Sequence, residues 1–443
     1  MTRVLVVDDS QFMRTVIGNA LTAADYDVET ATNGSEAIEA ATAYDPDIVT
    51  MDVEMPELDG IDAVERIMAT NPTLILMLSV HTDRGTEATL DALERGAIDF
   101  LNKPDGSDSR NVADLCDDVV EKVDELANAN VSSIALARAA ASAYATRPDR
   151  SDGNVTAGRA AVGSGTGDGN GTRVRTGTGT GSGPKVRSEF ESATETGVEG
   201  TPNSPGPERP APTPSSTLKR RSGGGRANGT DERDDRAAIE LEGEYAADPT
   251  IVLGASTGGP KIVEQVFDRL PLEFDAKGLV VQHMPSSFTG RFAERLDRRS
   301  RYDVSEAADG DTVRSGEILV APGGAHLEVT GNVGGHLTVG LDDGDRIHGV
   351  RPAIDVTMRT AAERVSDPLC GVVLTGMGRD GAAGIEAIKT AGGHTVAQDE
   401  ATSPVFGIPC QAIQTGCVDD ITPAGELADT IVDAFNTDGE NDD

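Results

Sequence analysis

Asp8 and Asp9 follow the apolar run VLVV (4–7), and Asp52 follows IVTM (48–51). Carboxylates gathered where parallel strands end repel one another unless a cation joins them, and hard oxygen ligands with open positions suit Mg2+. Ser79 ends the run LILML (74–78) and Lys103 ends DFLNK (99–103), bringing a hydroxyl and an ammonium to the same edge. This set suits a carboxylate nucleophile. Asp52 would attack phosphorus, Mg2+ held by Asp9 and Asp52 would neutralise charge, Lys103 would pair with the new phosphoryl group, and Ser79 would donate a hydrogen bond to it. One aspartate at a strand end is usually a cap or a solvated loop residue; five matching positions in order are not explained that way.

A second group lies in the other half of the chain. Gly254-Ala255-Ser256-Thr257-Gly258 fits G-x-S-x-G, a pattern that sets a serine on a sharp turn between a strand (TIVLGAS) and a helix (KIVEQVFDRL). The helix start behind it offers free N–H groups and positive dipole to a developing oxyanion. From this loop alone, a glycine-rich cradle for a dinucleotide phosphate is an equal reading. Two stretches favour the hydrolase. GLVVQHMP puts His283 just past a strand, and CGVVLTGMGRDG puts Asp380 in a glycine-rich loop past another. If those three strands are neighbours, Ser256, His283 and Asp380 meet at one crevice, with His283 as general base and Asp380 orienting its ring. A dinucleotide site would want an acidic residue closing the second strand, which here ends in Gln282–His283. Zinc on His283, His326 and Asp380 is disfavoured, because no two of the three stand at a short ligand spacing.

The elements that must position these residues fall into three zones. In residues 1–127, five apolar runs, DVETA (27–31) among them, alternate with amphipathic stretches. One stretch carries Phe12, Val16, Ile17, Ala20 and Leu21 on one face; Gly60 opens another with Ile61, Val64 and Ile67. Such alternation predicts an α/β domain of five strand–helix repeats, flavodoxin-like, with a parallel sheet between helices. Residues 249–437 predict a second, doubly wound parallel-sheet domain, with HLEVTG and HLTVGL as a β-hairpin. Between them, residues 128–248 are rich in Gly, Ser, Thr and Pro and read as a disordered linker, with VSSIALARAAASAYA (131–145) a possible helix and Arg220–Arg221 as solvated charge. Residues 438–443 form an acidic tail.

The formal charge is −37, from 75 acidic and 38 basic residues, only seven of them lysine. That surface argues against nucleic acid and anionic membrane as partners. Acid excess with lysine depletion fits hydration at high salt and a halophilic source. At molar salt the Debye length is only about 3 Å, which screens much of the self-repulsion. No apolar run is long enough to span a bilayer and no secretory leader opens the chain, so the reading is cytoplasmic. Cys116, Cys370, Cys410 and Cys417 form no CxxC pair and read as reduced thiols.

VLVVDDS, MDVEMPELDG, LSVHT and DFLNKP resemble the response-regulator receiver family. The resemblance implies phosphorylation of Asp52 by a histidine kinase, an acidic metal set of Asp8, Asp9 and Asp52 with a backbone carbonyl from Glu54, and Phe100 as an aromatic switch coupled to Ser79. GASTGGP, VVQHMPSSFTGRFAERL, APGGAHLEV, VVLTGMGRDGAAGI and AGGHTVAQDEATSPVFGIP resemble the chemotaxis receptor methylesterase family. That resemblance implies an acyl-enzyme on Ser256, oxyanion contacts from the backbone amides of Thr257 and Met377, and no cofactor for the hydrolysis. It further implies glutamate γ-methyl esters and certain glutamines of chemoreceptors as substrates, with recruitment to receptor clusters. The chain departs from the family in its long linker and in Val350, which stands before Arg351–Pro352 where the family usually carries His.

Overall fold

A computed structural model describes residues 1–80, 83–103, 109–127, 239, 241 and 243–437. The expected linker, the helix at 131–145 and the acidic tail lie outside these residues. All described residues belong to one compact unit.

The first half is a five-stranded parallel sheet in the order β2-β1-β3-β4-β5, from β1 (Arg3–Val7), β2 (Asp27–Ala31), β3 (Ile48–Asp52), β4 (Leu74–Val80) and β5 (Asp99–Lys103). The helices α1 (Gln11–Ala23), α2 (Gly34–Tyr44), α3 (Gly60–Thr70), α4 (Asp83–Arg95) and α5 (Ser109–Ala127) join the strands. Their starts are written in the sequence. Ser10 accepts from the Met13 amide, Asn33 from Glu36 and Asp59 from Asp62, each satisfying a helix donor that lacks an internal partner. Val4–Val7 are completely buried, as a central parallel strand requires. Gly60 is fixed by space: a Cβ there would lie 1.9 Å from the Asp52 carbonyl oxygen, so only glycine lets α3 start against the end of β3. One expectation for α1 fails. Phe12 is 53% exposed, because the first turn lies beside the acidic pocket, which Met13 lines, and not over the sheet.

The second half centres on a seven-stranded parallel sheet in the order β15-β14-β13-β6-β7-β10-β8. Its middle strands are β13 (Leu369–Val373), β6 (Thr250–Ala255) and β7 (Lys277–Gln282). β14 (His394–Gln398) and β15 (Asp420–Thr422) extend one side, β10 (Glu317–Val320) and β8 (Asp303–Glu306) the other. Around it lie α6 (Gly259–Arg269), α7 (Ser286–Arg299), α8 (Ile354–Arg364), α9 (Ala382–Thr390), α10 (Ile408–Gln414) and α11 (Leu427–Asp433). The predicted hairpin is β11 (His326–Val333) with β12 (His336–Asp342), to which β9 (Thr312–Val313) adds a third strand. Leu327, Val329, Leu337 and Val339 from this small sheet share a core with Ile354 and Met358 of α8.

Candidate functional site: an acidic pocket and a serine crevice

β6 is the switch point of the larger sheet, since the chain leaves it toward β7 on one side and β13 lies on the other. The crevice at the carboxyl ends of such strands is where ligands bind in open α/β sheets. Ser256, His283 and Asp380 follow β6, β7 and β13, three adjacent strands. The register pairs Ala255 with Gln282, so Ser256 and His283 emerge side by side. Gly376 closes over the serine; a Cβ there would meet the Ser256 Cβ at 2.6 Å.

His283 Nε2 lies 2.8 Å from Asp380 Oδ2. The same Asp380 oxygen accepts from the Ile354 amide at 2.7 Å, and Oδ1 accepts from the Asp355 amide at 3.0 Å. Burial alone would push the Asp380 carboxyl up; the His283 contact and these two amides outweigh it and hold the group below the usual carboxylate range. Ser256 is buried, and its backbone amide donates to Thr375 O at 3.0 Å. Among the described residues, the amides of Thr257 and Met377 donate to no protein acceptor, which leaves two N–H groups beside the serine for a ligand oxygen. His326, the imagined zinc ligand, is instead tied into backbone: Nε2 faces Asp345 O at 2.9 Å and Nδ1 accepts from the Ala353 amide at 3.1 Å.

In the smaller sheet, Asp8, Asp9 and Asp52 bring carboxylate oxygens within 4.8 Å of one another. Lys103 Nζ bridges Asp8 at 2.6 Å and Asp52 at 2.7 Å. These residues line a pocket of about 300 Å³ together with Ser79 and Glu54. Burial pushes the Asp52 carboxyl up to about 6; Lys103 opposes the rise and the Asp8 charge adds to it. Ser79 Oγ donates to Gly85 O at 3.2 Å, toward α4.

A family model for the CheB methylesterase matches residues 251–431, and one for the response regulator receiver domain matches residues 4–112. Across 98% of its length the chain is 43% identical to the protein-glutamate methylesterase/protein-glutamine glutaminase of Haloarcula marismortui, covering 98% of that protein. The chain belongs to the CheB methylesterase family. The protein of the same name from Halobacterium salinarum is 42% identical over 98% of this chain and 99% of its own length. Both relatives are haloarchaeal, in keeping with the acidic surface. Among solved structures, the catalytic domain of the Thermotoga maritima CheB methylesterase is 39% identical over 44% of this chain and 99% of that one, with a TM-score of 0.40.

In this methylesterase the receiver is pressed onto the serine crevice through three consecutive residues of one strand end. Ile98 O accepts from the Gly258 amide at 3.0 Å. Asp99 Oδ2 accepts from Thr257 Oγ1 at 2.7 Å, and Lys122 Nζ from α5 donates to that hydroxyl at 2.9 Å. Phe100 stacks on Phe288, ring centroids 4.1 Å apart, at the start of the helix that follows His283. Met377 packs on the α1–α5 side of the receiver and Val405 enters the same apolar cluster. At the rim, Arg295 joins Asp91 at 3.1 Å and also Glu94, while Arg299 reaches Glu94. Burial would lower the Lys122 ammonium, but Asp99 and Glu125 outweigh it and raise the group above its ordinary value.

Sequence reasoning missed these partners. Asp99 and Lys122 sit on a strand and a helix whose patterns say only that they face out. Nothing in one sequence says that a solvent face is covered by another domain. Asp355 was also missed, although an acidic residue in the first turn after Pro352 was a visible cue.

Proposed function

We propose that Ser256 is the nucleophile, His283 the general base and Asp380 the residue that orients it, in the hydrolysis of glutamate γ-methyl esters on chemoreceptors. With Nε2 committed to Asp380, Nδ1 of His283 is the nitrogen left to take the serine proton. Oγ attacks the ester carbonyl, the oxyanion is received by the amides of Thr257 and Met377, and methanol leaves with the proton from His283. Water then hydrolyses the acyl-enzyme by the same proton path in reverse, giving glutamate. A glutamine side chain follows the same course with ammonia as the leaving group. No cofactor is required for either reaction.

The observation that carries this reading is the anchored His283–Asp380 pair beside a buried serine with two free amides. It is tested by methanol release from methylated receptor membranes. The intact chain releases methanol and Ser256→Ala does not; equal release by both overturns the reading.

Control comes from the receiver. Asp52 accepts a phosphoryl group from a chemotaxis histidine kinase, Lys103 pairs with it, and Ser79 turns from Gly85 to donate to it. Asp8, Asp9 and Asp52, with the Glu54 carbonyl, would hold Mg2+, which when bound neutralises charge on the transferring phosphoryl group. The close approach of three carboxylates balanced by one ammonium supports this donor set. As Ser79 moves inward Phe100 follows, the stacking on Phe288 is lost, and the grip of Asp99 and Lys122 on Thr257 loosens. Among the described residues no helix is long and apolar enough to cross a membrane. Membership of the CheB methylesterase family supports a place in the cytoplasm, with recruitment to receptor clusters.

A further inference from the structure

We propose that Asp355 is a positioning residue for the hydrolytic reaction, locked to Asp380 by an exchange of helix caps. The proposal rests on the reading of Ser256, His283 and Asp380 as the hydrolytic centre.

Two helices start beside Asp380, and neither has a side-chain cap of its own. α8 is preceded by Ala353 and α9 by Gly381, and neither residue provides a capping hydrogen bond. Uncapped amides at buried helix starts are costly, so something must receive them. Here each start is received by the other helix's aspartate. Asp380, just before α9, accepts from the Ile354 and Asp355 amides of α8. Asp355, in the first turn of α8, accepts from the α9 side: its Oδ1 takes the Gly381 amide at 2.9 Å and the Gly384 amide at 2.7 Å. Asp355 is 3% exposed and Asp380 2%, so four amide bonds to carboxylates are made away from water.

The outer oxygen of Asp355 is held as well. His348 Nε2 lies 2.9 Å from Oδ2, and Arg379 Nε donates to His348 Nδ1 at 3.2 Å. Arg379 Nε can only donate, so His348 Nδ1 is the acceptor and Nε2 is the nitrogen left to face Asp355. Arg379 directly precedes Asp380, so the chain closes on itself: Asp380, the α8 amides, Asp355, His348, Arg379, and back. The loop carrying Asp380 cannot rotate without breaking several of these bonds. That rigidity aims Asp380 Oδ2 at His283, and a displacement of about 1 Å at such a centre can cost on the order of a hundredfold in rate.

The test uses the full chain at molar salt with acetyl phosphate present. Asp355→Ala is expected to lower kcat about a hundredfold while KM stays within about threefold, since Asp355 acts through Asp380 and not on the substrate. Asp355→Asn keeps an acceptor for the Gly381 and Gly384 amides but turns a donor toward His348, so it is expected to lose only about three- to tenfold, as is His348→Ala. A readout independent of hydrolysis is the low-field proton resonance of the His283 Nε2–H bonded to Asp380, assigned by its loss in His283→Gln. It is expected to disappear in Asp355→Ala and to persist, shifted, in Asp355→Asn. An Asp355→Ala protein that keeps this resonance and a kcat within about twofold of the intact chain overturns the proposal. Should Asp355→Ala not fold, full activity with an unshifted resonance in both Asp355→Asn and His348→Ala overturns it equally. The resonance does not depend on ester cleavage, so this failure is separable from that of the hydrolase reading, which Ser256→Ala tests alone.

Discussion

The acidic pocket and the serine crevice are built alike, at the carboxyl edge of a parallel sheet, yet they treat their buried aspartates in opposite ways. Asp52 shares one ammonium with Asp8, and burial leaves its carboxyl pushed up to about 6. Asp380 is served by an imidazole and two backbone amides and is held below the ordinary range. The first centre sets three carboxylates against one ammonium. In the second, the His283–Asp380 pair is already anchored by two backbone amides. A switch and a catalyst need these different conditions: one must change state on ligation, the other must not change at all.

The sharpest way to break the comparison is at the nucleophiles. Ser256→Ala or His283→Ala is expected to lower ester hydrolysis by four to six orders of magnitude, since triad members act as a unit. Neither change touches the acidic pocket, so labelling of Asp52 by acetyl phosphate with Mg2+ should continue at the rate of the intact chain. Asp52→Asn is expected to do the reverse. Labelling followed by mass spectrometry should show no phosphoryl adduct, and hydrolysis without acetyl phosphate should stay within about threefold of the intact chain. Loss of labelling in Ser256→Ala would show that the two centres are not separate units.

How much of this was legible follows from what each residue reports. Asp8, Asp52, Ser79 and Lys103 all stand at ends of apolar runs, and a run's end is visible in one sequence because strand burial writes it there. Ser256, His283 and Asp380 were legible for the same reason, once their strands were taken as neighbours. The contacts that join the halves were not. Asp99 and Lys122 look like ordinary surface charge, and Phe100 looks like core until Phe288 is seen against it. Strands β8, β9 and β15 also escaped, being two to four residues long and partly polar.

A smaller effect is expected at the joint between the centres. Lys122→Ala removes the ammonium that grips Thr257 and balances Asp99 and Glu125. Left behind are two half-buried carboxylates facing the crevice, which weakens the receiver's hold. A coupling of about 1–3 kcal/mol corresponds to roughly 5–150-fold, so hydrolysis by the unphosphorylated variant should rise several-fold and acetyl phosphate should add less than it adds to the intact chain. Hydrolysis rates of the two proteins on one receptor preparation decide this. An unchanged rate would place the receiver's control elsewhere than on the Thr257 loop.

The smallest expected effect is on stability, and it has opposite signs at the two aspartates. Asp380 titrates lower in the folded chain than its unfolded value of about 3.9. The folded state then binds fewer protons, so the stability Asp380 contributes is present above that value and is lost as pH falls through the folded one. Asp52 titrates higher when folded, at about 6. The folded state binds its proton more tightly, so its contribution is present below about 3.9 and is lost as pH rises through about 6. Denaturant unfolding at constant molar salt, with a chelator to keep the acidic pocket free of metal, separates the two. Asp380→Asn should flatten the acid side of the stability profile, below about pH 4, and lower stability at neutral pH. Asp52→Asn should leave the acid side unchanged and raise stability above about pH 6, because a neutral side chain replaces a buried charge that had only half a cation to itself. If both variants changed the profile on the same side, the contrast between the two aspartates would be wrong.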